Sequence, residues 1–258
     1  MLDYKDLVTY VLQVSDIVKM AVGNSDGVNI KRVSNLSNQN PLVSIEEDKP
    51  LAEALKLFKQ SRTQRIVVIK PSESSNQFVG VLSQSTIASF LTSKYGVLQT
   101  PRPEAGLWPE GEKSVADLGL VKGSVVSVTT HETVLDALKS MHDHNITSVA
   151  LVDRSSGYDQ LIGSVSMSDM KEVFSQRGGY KYLYDNVFKF FQKLRSSQGL
   201  ENDGNDKAPV FVIHPSTSVI SALEKMSATH GHRVWIVEGA DKLVGVLSLT
   251  DIIGVMGV

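Results

Sequence analysis

Two segments of the chain place a serine three residues ahead of an aspartate at the close of an apolar run: Ser166 with Asp169 in GSVSMSDM, and Ser248 with Asp251 in GVLSLTDI. A strand that ends at the serine and turns into a helix leaves backbone N–H groups and the positive end of the helix dipole facing outward, where a phosphate can be received. An ionised aspartate has two acceptor oxygens and no donor, so a carboxylate one turn in can accept from both hydroxyls of a ribose. The same spacing is close to a helix capping box, which stabilises a helix start by about 1 kcal/mol with no ligand at all. Both readings use the same atoms.

The elements that must carry these residues recur. GVLSQSTI (Gly80 to Ile87), GSVSMSDM (Gly163 to Met170) and GVLSLTDI (Gly245 to Ile252) are spaced 83 and 82 residues apart. At the start of the chain Leu2 and Asp6 stand 80 residues ahead of Leu82 and Thr86, so a fourth copy opens the sequence. Upstream, the sets Leu51, Ala54, Leu55, Phe58, then Val134, Ala137, Leu138, Met141, then Val219, Ala222, Leu223, Met226 each follow the spacing of one buried helix face. A short β-rich stretch precedes each helix (Leu42 to Ile45, Val125 to Val128, Val210 to Ile213), and a second apolar run follows it, at Ile66, Ser148 and Val234. The unit is strand, helix, strand, strand, helix, an α/β fold written as a tandem repeat. Whole repeats are expected over 38–95, 118–176 and 206–258, with a truncated first repeat over 1–14.

Two spacers interrupt this pattern. Residues 96–117, with Pro101, Pro103 and Pro109, read as an irregular linker between a first module (1–95) and a second (118–258). Residues 179–195 set Tyr184, Val187, Phe188, Phe191 and Leu194 on one helical face, either packed between repeats or offered to a partner. Ser196 to Asp206 has the composition of a mobile loop. The helix at 5–13 is expected to pack on the second repeat and leave uncovered apolar surface, which favours association into a homodimer.

Composition narrows the functions. With 41% hydrophobic and 21% charged residues the chain can build well-formed cores, and 26 basic against 28 acidic side chains give no broad field for nucleic acid or anionic lipid. No cysteine means no disulfide and no thiolate metal site, in keeping with a reducing cytoplasmic or nuclear setting. Charges at Asp3, Lys5 and Asp6 interrupt any export signal, and no apolar run is long enough to span a membrane. There is no Gly-rich phosphate loop, nucleophile elbow or histidine and carboxylate cluster at catalytic spacing, so catalysis and a required cofactor are not expected. His142 and His144 lie two apart, on different faces of a helix, and are not expected to bind metal.

The order of elements and these residues resemble the CBS (cystathionine-β-synthase) repeat, which pairs with a second copy about a pseudo-twofold axis. DYKDL at Asp3, GVLSQ at Gly80, HRVWIV at His232 and GVLSLTDI at Gly245 are similar to four-repeat proteins of the AMP-activated protein kinase γ-subunit type. The fungal and plant γ-like regulators look nearest, including fungal inhibitors of type 2A protein phosphatases. The resemblance implies a non-catalytic, energy-sensing regulator that binds AMP, ADP or ATP between repeats and acts on a Ser/Thr protein kinase complex or a type 2A protein phosphatase. A scaffold with degenerate nucleotide sites is the alternative.

The resemblance also implies roles for residues. Asp169 and Asp251, with Ser166, Ser248 and Thr250, would hold the nucleotide's ribose and its surroundings. His232 and Arg233 match a His-Arg pair that reaches phosphate, and an Arg fork suits phosphate oxygens. Arg65 holds the equivalent place in the second repeat, while Thr147 and Ser148 in the third match positions along the adenine and phosphate edge. Thr86 replaces the aspartate and cannot accept from two hydroxyls, so that site is expected empty. Asp6 keeps the right residue type, but Asp3 stands where the hydroxyl residue belongs and repels phosphate.

Overall fold

In a computed structural model of the chain, residues 4–13, 36–38, 41–72, 75–93, 109–171, 173, 179–201 and 210–256 are described. Helix α1 (Tyr4–Gln13) comes first. The second repeat follows as β1 (Ser44–Glu46), α2 (Leu51–Ser61), β2 (Arg65–Lys70), β3 (Gln77–Ser83) and α3 (Gln84–Thr92). The third is β4 (Ser127–Thr129), α4 (Val134–Asp143), β5 (Ser148–Asp153), β6 (Gln160–Ser166) and a 3-10 turn, Met167–Met170. Helix α5 (Val187–Glu201) separates it from the fourth, β7 (Val212–Ile213), α6 (Val219–Ala228), β8 (Arg233–Glu238), β9 (Lys242–Ser248) and α7 (Leu249–Val255).

Local chemistry sets these boundaries. Thr133 and Asp136 close a full capping box on α4, with the Asp136 N–H donating to Thr133 Oγ1 at 3.2 Å and the Thr133 N–H to Asp136 Oδ2 at 3.1 Å. Ser218 accepts from the Ser221 N–H at the start of α6. Where α2 ends, Arg62 adopts the left-handed conformation and returns its N–H to Phe58 O. Within repeats the short strand runs parallel to the next, β1 with β2 and β4 with β5. The third runs antiparallel, β3 with β2 and β6 with β5, each with a register shift at the same place, between Val68 and Ile69 and between Leu151 and Val152.

The chain divides into two compact units. Unit 1 gathers Met1–Asn40, Ser124–Phe211 and Gly239–Leu243, and unit 2 gathers Pro41–Gly123, Val212–Glu238 and Val244–Val258. The core of unit 1 centres on Val134, Ala137, Leu138 and Met141, the expected face of α4, packed with Val149, Leu151 and Val165 from the strands. One core of unit 2 contains Ala54, Phe58, Ile66, Ile87 and Ile253. Of the three expected faces, that of α2 is imperfect, because Leu51 is exposed. A close approach fixes one glycine: a Cβ at Gly163 would lie 2.6 Å from the ring of Phe191.

Three expectations need correction. Helix α1 packs within unit 1 on α4 and the 3-10 turn of the third repeat, where Val8 and Val11 are buried, and not on the second repeat as its place in the chain suggested. The aromatic segment is not one helix. It forms a 3-10 turn at Gly179–Tyr184 and then α5, because the side chain of Asn186 accepts the N–H groups of Phe188 and Lys189 and starts a new helix there. The buried set is therefore Leu183, Val187, Phe190 and Leu194, while Tyr184 is exposed. The part of the expected loop from Ser196 to Glu201 is helical, and its remainder, 202–206, lies outside the described residues.

Of the linker, 96–108 lies outside the described residues. Its end belongs to unit 2, where Val115 is buried and the Val115 N–H donates to Thr217 O at 2.9 Å.

Phe58 is fully buried in unit 2, whereas Phe90 on α3 is 53% exposed. Replacing Phe58 by Ala is expected to lower unfolding free energy by about 3–5 kcal/mol, and Phe90→Ala to change it by no more than about 0.5 kcal/mol, in denaturant melts followed by circular dichroism. Equal losses for the two would contradict the assigned core.

Candidate functional site

The strand-to-helix joints place the candidate residues. Ser248 sits in extended backbone at the head of α7, its N–H and Oγ both donating to Asp251 Oδ2 at 2.9 and 2.6 Å, and the Asp251 N–H returns to Ser248 Oγ at 3.3 Å. In the third repeat the Ser166 N–H and Oγ donate to Asp169 Oδ2 at 2.7 and 2.8 Å. Both aspartates therefore cap the chain as the non-ligand reading requires, each through Oδ2, and at Asp251 the other oxygen meets a second donor.

For Asp251 that donor is Lys122, whose Nζ lies 2.6 Å from Oδ1. Burial works to raise the Asp251 carboxyl and is the largest single influence, but the hydrogen bonds from Lys122 and Ser248, with the lysine's charge, outweigh it and hold the group below its ordinary value.

A second bond recurs at each joint. The N–H of the first helical residue donates to the carbonyl of the residue before the second strand: Gln84 to Gln64 at 3.2 Å, Met167 to Thr147 at 2.9 Å and Leu249 to His232 at 3.0 Å. It draws the head of β8 against the Ser248 cap, which is why a sequence pair sixteen positions upstream of the cap reaches the same site.

Arg233 and Arg65 both lie close enough to His232 to act on its imidazole. Burial pulls the Arg233 guanidinium down to about 10, partly opposed by the negative charge of Asp251, so it stays protonated near neutrality. Burial, then the charges of Arg233 and Arg65, lower the His232 imidazole. Unit 2 thus brings together Asp251, Ser248, His232, Arg233 and Arg65. Thr250, also in unit 2, donates through Oγ1 to Gln84 Oε1 at 3.0 Å, and Gln84 Nε2 donates to Thr63 O.

The remaining residues fall in unit 1 or at the altered cap of the second repeat. Ser148 is buried at the start of β5 opposite Ser166, and Thr147 is half-buried beside it. Asp6 is fully buried, with its Oδ1 accepting the Ser37 N–H at 2.9 Å and the Ser37 hydroxyl at 2.6 Å. Ser37 thereby supplies, from 31 residues away, the serine clamp that Ser166 and Ser248 supply locally. Asp3, the residue at the cap position itself, lies outside the described residues. At the second repeat Thr86 is exposed, its N–H donating to Ser83 Oγ at 3.0 Å, and the joint is capped by hydroxyls without a carboxylate.

Sequence reasoning missed Lys122, Ser37 and Gln84. The first two act over 129 and 31 residues with no local signature. Gln84 carried one: it puts an amide where the other repeats have the buried apolar residues Met167 and Leu249.

A tandem α/β repeat whose cap carboxylates sit at strand-to-helix joints defines a class, and the chain belongs to it: the CBS domain family matches residues 33–93, 115–176 and 206–257. Among curated proteins it is similar to Protein SDS23 of Yarrowia lipolytica, 28% identical over 99% of this chain and 56% of the relative. Protein SDS23 of Kluyveromyces lactis is 26% identical over 98% and 52%. Protein SDS24 of Saccharomyces cerevisiae is 27% identical over 92% of this chain and 46% of its own. The chain spans about half the length of these relatives. In fold it is similar to protein MJ1225 from Methanocaldococcus jannaschii, with a TM-score of 0.64 at 10% identity over 97% of this chain and 80% of that one. A conserved protein from Pyrococcus horikoshii gives a TM-score of 0.59 at 17% identity, over 89% and 84%.

Because Asp251 is held below its ordinary value when folded, its contribution to stability is complete above the unfolded carboxylate pKa of about 4 and is lost as pH falls through the lower folded value. Melting temperatures measured from pH 6 down to about pH 2.5 should therefore fall less steeply for Asp251→Asn than for the parent chain, with Lys122→Met intermediate because the Ser248 bonds remain. Identical acid limbs for all three would contradict the assignment.

Proposed function

We propose that the chain is a non-catalytic regulatory module that binds an adenine nucleotide, AMP, ADP or ATP, with unit 2 supplying the principal site. One observation carries this reading: Asp251 is poised with its capped carboxylate beside Lys122, and the cations Arg233 and Arg65, with the imidazole of His232 among them, stand at the same end of the repeat. A nucleotide needs that combination, an acceptor for ribose hydroxyls and fixed donors for phosphate. Whole-chain charge is −2, so the cations are a local feature, and they sit where the His-Arg pair of the γ-subunit-like resemblance would put phosphate. Asp169, with Ser166, Thr147 and Ser148, is the second site.

The bound nucleotide would change how the protein engages a Ser/Thr protein kinase complex or a type 2A protein phosphatase in the cytoplasm or nucleus, and it can do so only by its differential affinity for the two states. A second reading, an interaction scaffold with degenerate sites, is favoured by the fact that both Asp251 oxygens already have donors and that Thr86 carries no carboxylate.

Calorimetry with AMP and ATP separates the two. Asp251→Ala removes charge-assisted hydrogen bonds worth roughly 1.5–3 kcal/mol each and is expected to weaken binding at least about tenfold, while Thr86→Ala leaves it unchanged. No heat of binding from the parent chain, or unchanged affinity in Asp169→Ala, Asp251→Ala and their double variant, would favour the scaffold. Affinity capture from lysate with and without AMP then identifies the partner by mass spectrometry.

A further inference from the structure

An ionised carboxylate offers about four lone-pair positions, two on each oxygen. At Asp251 the Ser248 N–H and hydroxyl take both positions on Oδ2, at 2.9 and 2.6 Å, and Lys122 Nζ takes one on Oδ1, at 2.6 Å. Among the described residues no further donor hydrogen-bonds to this carboxylate, so one position remains on Oδ1. The two hydroxyls of a ribose need two. A nucleotide that engages Asp251 through both hydroxyls must therefore move the lysine.

Lys122 is a movable side chain on a fixed base. It belongs to unit 2, as Asp251 does. The backbone that leads to it is fastened there: the Ala116 N–H donates to Pro215 O and the Leu120 N–H to Val115 O, both at 3.0 Å, and the Leu120 side chain is buried. Between them Gly119, at φ 64°, turns the chain. Two residues past Leu120, the Lys122 side chain is 61% exposed, whereas that of Asp251 is 21% exposed. An exposed lysine on a flexible four-carbon stem gains no more than about fivefold in equilibrium from such a pair. A ribose on the same carboxylate forms charge-assisted hydrogen bonds with a ligand already held elsewhere by its phosphate. The ligand thus displaces the lysine, and binds more weakly for having to do so.

We propose that Lys122 is a built-in competitor for the ribose acceptor, holding Asp251 Oδ1 against a ligand that presents two vicinal hydroxyls and lowering that ligand's affinity by the strength of the ion pair. This rests on the nucleotide reading of Asp251 and specifies its regulation. Whatever draws the ammonium away from Asp251, or removes its charge, raises affinity for a ribonucleotide. A ligand with a single hydroxyl at that place is accommodated beside the lysine and is indifferent to it. Donors on both Asp251 oxygens then describe a site under competition and not a site out of use.

The probes are AMP and 2′-deoxy-AMP, titrated by calorimetry into the full 258-residue chain and into its Lys122→Met and Lys122→Arg variants. Lys122→Met is expected to bind AMP about two- to fivefold more tightly than the parent, and Lys122→Arg, which keeps the charge, to bind it as the parent does. The affinity for 2′-deoxy-AMP should be the same in all three chains. A loss of positive charge felt by the phosphate would act on both ligands alike, so the difference between them isolates the ribose. Melting temperatures at neutral pH should be nearly equal, since Lys122 is exposed. Binding of AMP to Lys122→Met but not to the parent would also support the competitor. Binding of AMP by both chains that is no tighter in Lys122→Met, or that tightens equally for 2′-deoxy-AMP, overturns the competitor and leaves the nucleotide reading standing. No binding of AMP to either chain overturns both.

Discussion

In the third and fourth repeats the joint between the third strand and the following helical turn is held by one interaction, a serine that gives both its backbone N–H and its hydroxyl to a carboxylate three residues on. At Ser248 and Ser166 that clamp fixes extended backbone immediately before a helical turn. A third bond, from the first helical N–H to the residue preceding the second strand, then locks two strands and a helix to one point. The two bonds to the carboxylate are worth about 1.5–3 kcal/mol each and the neutral one about 1 kcal/mol, and together they define where side chains from distant parts of a repeat converge.

The same constraint accounts for the variation among repeats. An aspartate engaged by its serine through one oxygen presents the other to whatever donor stands nearby, and at Asp251 this is Lys122. At Asp6 the clamp comes from Ser37, and the carboxylate is buried. At the second repeat Ser83, Ser85 and Thr86 satisfy one another without charge. One architecture therefore carries a charged site, a buried structural carboxylate and a neutral cap. The differences arise from single residues and not from the backbone.

Much of this was legible in the sequence. The helix faces of α4 and α6, the order of elements along each repeat and the two Ser-x-x-Asp caps are local patterns, set by spacing and side-chain chemistry within a few residues, and the structure reproduces them. The chemistry of the cap was legible too, though not which of its two uses prevails, because capping and ribose binding ask for the same atoms. What escaped was non-local. The docking of α1 on the third repeat, the Lys122–Asp251 pair and the Ser37–Asp6 clamp join residues with no shared periodicity. In α5 the aromatic residues are dense enough to fit several helical faces, and the cap at Asn186 chose among them.

The central claim is that one carboxylate both caps α7 and faces the ligand. The most direct measurement follows the Asp251 side-chain carboxyl by carbon-detected NMR across an acid titration, with and without saturating AMP. The account predicts a titration below the ordinary carboxylate range in the free protein, displaced further downward and shifted in resonance when AMP is present. A resonance that ignores AMP while titrating as in the free protein would leave Asp251 as a helix cap alone and contradict the account.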